Sequence, residues 1–351
     1  MNRLFPLIDK LEKEKILTKR EFITLIDRFD DETAEYAAKK AREIRENVYG
    51  KDVYIRGLIE FTNYCKNDCY YCGIRRSNTC AERYRLSKEQ ILFCCEQGYE
   101  LGLRTFVLQG GEDPFYTDEA LAGIVASIKT SYPDCAITLS IGERSAQSYR
   151  KLHEAGADRF LLRHETANDA HYAKLHPAAQ TLQSRKECLW NLKKIGYQVG
   201  TGFMVGSPGQ TSENLAEDLL FLKELDPQMV GIGPFIPHHD TPFANEPRGT
   251  VQMTTFLISL IRIMLVSVLL PATTALGTID GNGREAGILA GANVVMPNLS
   301  PVDVRSKYLL YDNKICTGDE SAQCLRCMAA RMKKIGYTVV VARGDYKSAN
   351  E

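Results

Sequence analysis

Between residues 53 and 297 short apolar runs alternate with longer amphipathic ones, eight times over. The short runs are 53–61, 105–110, 136–141, 159–164, 197–206, 229–235, 271–275 and 292–297, most of them rich in the β-branched and aromatic residues that favour strands. Helical periodicity fills 87–101, 117–131, 182–195, 212–225 and 253–268. Such alternation predicts an α/β chain of parallel strands with crossover helices. Eight regularly spaced units predict a complete (β/α)8 TIM-type barrel rather than a doubly wound sheet, for which no dinucleotide fingerprint is present. Before the first strand, Leu7, Ile8, Leu11, Phe22, Leu25 and Ile26 recur near helical spacing. The expected organisation is a helical extension over 1–50, the barrel over 51–300, and a C-terminal extension over 301–351 that closes the barrel and carries a second cysteine group.

In barrels of this kind, function collects at the C-terminal ends of the strands. There the sequence places a cysteine-rich loop and the segments QGGEDP, SIGE, RHET, MVGSPGQ, GPFIPHHDTP and TTALGT. The chemistry is expected to face one mouth of one cavity.

Composition removes several alternatives. Lys plus Arg equals Asp plus Glu at 44 each, so the basic surplus usual in nucleic-acid-binding proteins is absent. The longest apolar run, 256–270, is too short for a membrane span and carries Arg262, which reads as a buried helix. The charged N-terminus lacks a signal-peptide pattern, and the 11 cysteines are unevenly spaced. A reducing cytoplasm is the expected compartment, where clustered cysteines serve metals or catalysis.

Cys65, Cys69 and Cys72 follow the first strand in the loop FTNYCKNDCYYCGIRRSN. Three thiolates at this spacing can wrap one metal centre. Structural zinc would need a fourth ligand, but no His is near and Cys80 continues the spacing poorly. Ordinary buried thiols are the remaining alternative. The C-x3-C-x2-C spacing after a first barrel strand resembles the radical S-adenosylmethionine superfamily. The resemblance implies a 4Fe–4S cluster held by Cys65, Cys69 and Cys72, whose fourth iron is chelated by S-adenosylmethionine. It also implies reductive cleavage of that cofactor to methionine and a 5′-deoxyadenosyl radical. Soft thiolates suit such clusters. Gly110, Gly111 and Glu112 resemble the superfamily's GGE element, which receives the cofactor's amino group. Tyr71 matches its aromatic position, and Met204 opens the strand-end segment that supports the adenine.

Beyond the loop the motifs are narrower. YIRGLIEFTNYCKNDCYYCGIRRSN, VLQGGEDPFY, GADRFLLRHETAN, MVGSPGQT, QMVGIGPFIPHHDTP and PATTALGT together resemble the HydE family of [FeFe]-hydrogenase maturases. That resemblance implies that Glu165 and Arg185, with Ser140 as a lesser contact, hold the ribose or methionine end of the cofactor. It implies a small anionic or iron-bound substrate, an iron–cysteine complex bearing carbon monoxide and cyanide, and a role in building the diiron subcluster. Arg56, Arg159, Thr273, Thr274 and Tyr308 are the expected substrate contacts. The partner maturases HydG and HydF and an electron donor are implied as well; no nucleic acid or membrane is. Cys316, Cys324 and Cys327 resemble an auxiliary 2Fe–2S or 4Fe–4S site found in some members, with peripheral zinc or free thiols as alternatives. Rival functions are a methylornithine synthase-like or biotin synthase-like enzyme and a non-catalytic iron–sulfur carrier. A biotin synthase would need further cysteines on barrel strands, where only Cys135 begins one. A carrier has no use for the cofactor contacts.

Overall fold

Caps and apolar periodicity agree in the first 49 residues, which fold into α1 (Phe5–Glu14), α2 (Lys19–Arg28) and α3 (Asp31–Tyr49). Thr18 and Glu21 form a reciprocal capping box on α2, and Asp30 accepts from the Thr33 N–H to start α3. The computed structural model describes residues 4–315 and 325–348.

The barrel strands are β1 (Asp52–Ile55), β2 (Gly57–Thr62), β3 (Thr105–Gly110), β4 (Ala136–Ser140), β5 (Arg159–Leu161), β6 (Gln198–Thr201), β7 (Met204–Val205), β8 (Met229–Val230), β9 (Gly233–Pro234) and β10 (Val294–Val295). Around them lie α4 (Lys88–Glu100), α5 (Asp118–Ser131), α6 (Ala146–Glu154), α7 (Asp169–Leu175), α8 (Leu182–Ile195), α9 (Ser212–Leu225) and α10 (Val251–Met264). Then come α11 (Thr274–Ile279), α12 (Gly283–Leu289), α13 (Val302–Arg305), α14 (Leu325–Lys334) and a last strand, β11 (Thr338–Val340).

β2, β3, β4, β5, β6 and β8 pair in that order, each parallel to the next. Closure runs through single bridges from Met229 to Leu269 and from Pro271 to Val294, then through the β10–β1 pairing and a bridge from Asn298 back to Leu58. The parallel α/β barrel expected from the alternation is therefore present, with helices outside. α2 packs on α9, and α3 and α1 pack on α10.

Three expected strands break in two. The run 53–61 divides at Arg56 into β1 and β2, 197–206 into β6 and β7, and 229–235 into β8 and β9. At the second break a Cβ on Gly202 would stand 2.0 Å from the Gly231 oxygen, so the chains cross there in a way only glycine permits. The seventh expected strand, 271–275, is corrected: Pro271 has no N–H for a ladder, Thr273 is the extended N-cap of α11, and Thr274 is already helical. β11 pairs in parallel with β1, beside the start of the barrel.

The apolar run 256–270 is largely α10 and is buried in the protein. Arg262 donates from Nε to the Gly291 oxygen (2.9 Å) and from Nη1 to the Val266 oxygen (2.7 Å). Among the described residues no helix is long and apolar enough to cross a membrane.

Candidate active site

The cysteine loop has little regular structure, so its shape is set by side chains that bond to its backbone. Arg83 donates to the carbonyl oxygens of Asn63, Ile74, Arg75 and Asn78. Asn63 donates to the oxygens of Glu82 and Lys307 and accepts from the Tyr84 N–H. Asp68 pairs with Arg75 at 2.7 Å, and that hydrogen-bonded guanidinium holds its carboxyl well below the usual range. Gly73 is obligatory, because a Cβ there would lie 2.2 Å from the Leu309 oxygen and 2.3 Å from the His238 ring.

The GGE element closes on this loop. A Cβ on Gly111 would meet the Tyr64 oxygen at 2.2 Å, Glu112 N donates to Cys65 Sγ (3.4 Å), and Lys66 N donates to the Glu112 oxygen (2.9 Å). Burial raises the thiols of Cys65 and Cys72 and pushes Cys69 up to about 12. Alone these three groups are neutral thiols at neutral pH. A cationic centre would deprotonate them outright, as metals do.

Carboxylates and guanidiniums alternate along the strand ends. Glu112 Oε1 accepts from Glu143 N (2.9 Å), and Glu143 Oε1 accepts from Arg185 Nε (2.6 Å). Arg185 Nη1 donates to the Arg163 oxygen (2.9 Å), and Arg163 Nε donates to Glu165 Oε2 (3.1 Å). Glu165 takes a left-handed φ of 66°, which is costly for a non-glycine residue. Its N–H bonds to the Gly202 oxygen, so the surrounding strands hold it there. Tyr71 OH contacts His176 Nε2 at 3.2 Å.

These groups border one cavity of about 340 Å³ at the C-terminal ends of the strands. Cys65, Cys69 and Cys72 are on its wall, as are Tyr71, Gly110, Gly111 and Glu112. Ser140, Glu165, Arg185 and Met204 also line it. So do Thr273, Thr274 and Tyr308. Within it, Lys314 Nζ pairs with Glu60 Oε1 at 2.5 Å, and Asn298 donates to Glu60 Oε2 (2.9 Å). Thr273 Oγ1 is buried with no hydrogen-bond partner, which leaves a hydroxyl for a ligand.

Residues 59–222 match the Radical SAM superfamily. The [FeFe] hydrogenase maturase subunit HydE of Thermotoga maritima is 45% identical over 332 residues, 94% of each chain. This chain belongs to the HydE family. It is thereby a radical S-adenosylmethionine enzyme, for which the superfamily implies a 4Fe–4S cluster and S-adenosylmethionine. The crystal structure of methylornithine synthase superposes with a TM-score of 0.82 at 27% identity, covering 95% of this chain and 97% of that one. HydG, a maturase of the [FeFe]-hydrogenase, shares the fold with a TM-score of 0.80 at 20% identity, over 95% of this chain and 75% of that one.

The residues fit the groups that HydE membership implies. Three half-buried thiols line one cavity, with a main-chain N–H donor at Cys65, and Gly111 leaves the backbone bare against the loop. Two HydE-based substrate expectations need correction. Arg159 starts β5, at the N-terminal end of the barrel, and does not border the cavity. Its guanidinium donates to the oxygens of Arg343 (3.0 Å) and Gly344 (3.2 Å), to Asp345 Oδ1 (2.6 Å) and to Thr105 Oγ1 (3.2 Å). Arg56 likewise lies outside the cavity, with Nη1 on the Met229 thioether (3.1 Å).

Arg163, Lys314 and Glu60 are cavity residues that the sequence reading passed over. Arg163 had an available signal, because it stands just past the C-terminal end of β5 and two residues before Glu165. Lys314 had none, since its partner Glu60 is 254 residues away. Of the second cysteine group, Cys327 lies in α14, while Cys316 and Cys324 fall outside the described residues.

Proposed function

We propose that this chain carries out the radical S-adenosylmethionine step of [FeFe]-hydrogenase maturation, acting on an iron–cysteine complex that bears carbon monoxide and cyanide. The observation that carries the reading is the junction of two features in one cavity. Three half-buried thiols sit on its wall, and so does Thr273, whose hydroxyl has no hydrogen-bond partner. The 45% identity to HydE over 94% of the chain supplies the biological context.

Cys65, Cys69 and Cys72 would hold the cluster. The backbone of Gly110, Gly111 and Glu112 would receive the amino group of S-adenosylmethionine, and Arg185 its carboxylate, for which a guanidinium fork is well shaped. Glu165, Ser140, Met204 and Tyr71 would contact its ribose and adenine. When bound, cluster and cofactor supply one-electron reductive cleavage of a sulfonium C–S bond. The chain's own work is orientation and exclusion of water. Arg163 and Thr273, with Thr274 and Tyr308 beside them, would orient an anionic substrate by charge and hydroxyl donation. The buried Lys314–Glu60 pair fixes the segment containing Tyr308 over the cavity, because Lys314 Nζ also donates to the Tyr308 oxygen (2.8 Å). In this reading HydG supplies the substrate, HydF receives the product, and a separate reductant supplies the electron.

The test is anaerobic turnover of the reconstituted protein with the iron–cysteine complex and, separately, with lysine. Consumption of the iron complex in step with cofactor cleavage is expected. Conversion of lysine to methylornithine with an inert iron complex would overturn the maturase reading.

A further inference from the structure

The three thiols differ in what donates to them. Cys65 receives main-chain N–H groups from Asn67 and Glu112, and Cys72 receives that of Ile74. At Cys69 the donor is a side chain, Gln180, whose Nε2 lies 3.6 Å from Sγ. Main-chain donors are fixed by the fold, whereas this one is a choice made by sequence.

Gln180 is placed by the short connection between α7 and α8. Its own N–H bonds to the Pro177 oxygen (2.9 Å), and the next residue, Thr181, is the N-cap of α8, accepting from the Ser184 N–H. Arg185 lies on the first turn and a half of that same helix and borders the same cavity. The amide therefore sits between the cysteine loop and the helix that carries the proposed carboxylate contact. Both polar atoms of the amide stand 3.6 Å from Sγ. A thiol could give its proton to Oε1, but an iron-bound thiolate has none to give. On the loaded protein only donation from Nε2 survives.

We propose that Gln180 is a positioning residue that sets the reduction potential of the cluster through its hydrogen bond to Cys69. The inference rests on the assignment of Cys65, Cys69 and Cys72 as cluster ligands. An N–H directed at a cluster sulfur stabilises negative charge, and it does so more in the reduced state, where more charge resides on sulfur. The bond thus makes the cluster easier to reduce.

The experiment is a redox titration followed by electron paramagnetic resonance on reconstituted full-length protein, with and without S-adenosylmethionine. The variants are Gln180→Leu, Gln180→Glu and Gln180→Lys, with iron content measured for each. Leu removes the donor and is expected to shift the midpoint negative at unchanged iron content; Glu, which adds a negative charge, shifts it further. Lys restores an N–H donor with positive charge and brings the midpoint back to or above that of the parent protein. A Leu midpoint equal to the parent's overturns the proposal. Iron loss in Leu that Lys restores supports the donor contact, whereas iron loss in all three variants overturns tuning and assigns Gln180 to loop packing. Failure of the parent protein to load a cluster would instead overturn the underlying ligand assignment.

Discussion

Thr273 gives the cleanest separation of function from stability. Its hydroxyl is buried without a partner, so Thr273→Val removes an unsatisfied group and keeps the shape. Thermal unfolding is expected to show unchanged or slightly higher stability. Substrate affinity should fall by about 10-fold, the equivalent of one lost hydrogen bond of ~1.4 kcal/mol. Equal affinity in both proteins would remove Thr273 from the substrate contacts. The two arginines at either end of β5 make a second contrast. Arg159→Ala should destabilise the protein by about 3 kcal/mol, the low end for breaking a buried ion pair, since Asp345 keeps solvent and Arg343. Arg163→Ala leaves the nearly buried Glu165 carboxylate without its ion-pair partner, so it too should cost stability. It should in addition lower turnover of the iron complex, which Arg159→Ala should spare. Denaturant melts and single-turnover assays on the two variants would check both. The cysteine loop and GGE element were legible because their spacing lies in the covalent chain. Naming Arg159 as a substrate contact overlooked strand direction: a residue that opens a barrel strand lies at the floor, whereas Arg163, just past the end of the same strand, lies at the mouth.

At the scale of elements, alternation and capping residues were legible, and strand continuity was not. Broken strands arise from close crossings such as Gly202 against Gly231, which depend on residues distant in sequence. The C-terminal strand was also invisible, because β11 is stabilised by pairing with β1 across nearly the whole chain rather than by its own pattern. The segment after it is held beneath the barrel by Asp345. Burial alone would raise that carboxyl, but Arg343 and Arg159 bring it down to about 2. A carboxyl depressed in the folded state contributes stability above its ordinary pKa and loses it as pH falls through the folded value. Release of residues 343–347 is therefore expected as pH falls from about 4 toward 2, with no change between pH 5 and 8. Hydrogen exchange or limited proteolysis across that range would show it. Release at neutral pH would contradict the Asp345 clamp.

The whole molecule joins a closed barrel to a cavity whose polar groups come from almost every strand end. The eight-unit alternation predicted that architecture, and the HydE resemblance predicted much of the cavity wall. Neither identified the Lys314–Glu60 pair, which forms only after the chain past the barrel folds back over the mouth. Everything proposed for this cavity depends on Cys65, Cys69 and Cys72 holding a cluster that cleaves S-adenosylmethionine. The most direct measurement is 5′-deoxyadenosine formation by anaerobically reconstituted, reduced protein, compared with Cys69→Ala treated identically. Deoxyadenosine is expected from the parent protein and none above background from the variant, with four fewer irons per chain. Equal deoxyadenosine from both proteins would contradict the cluster assignment.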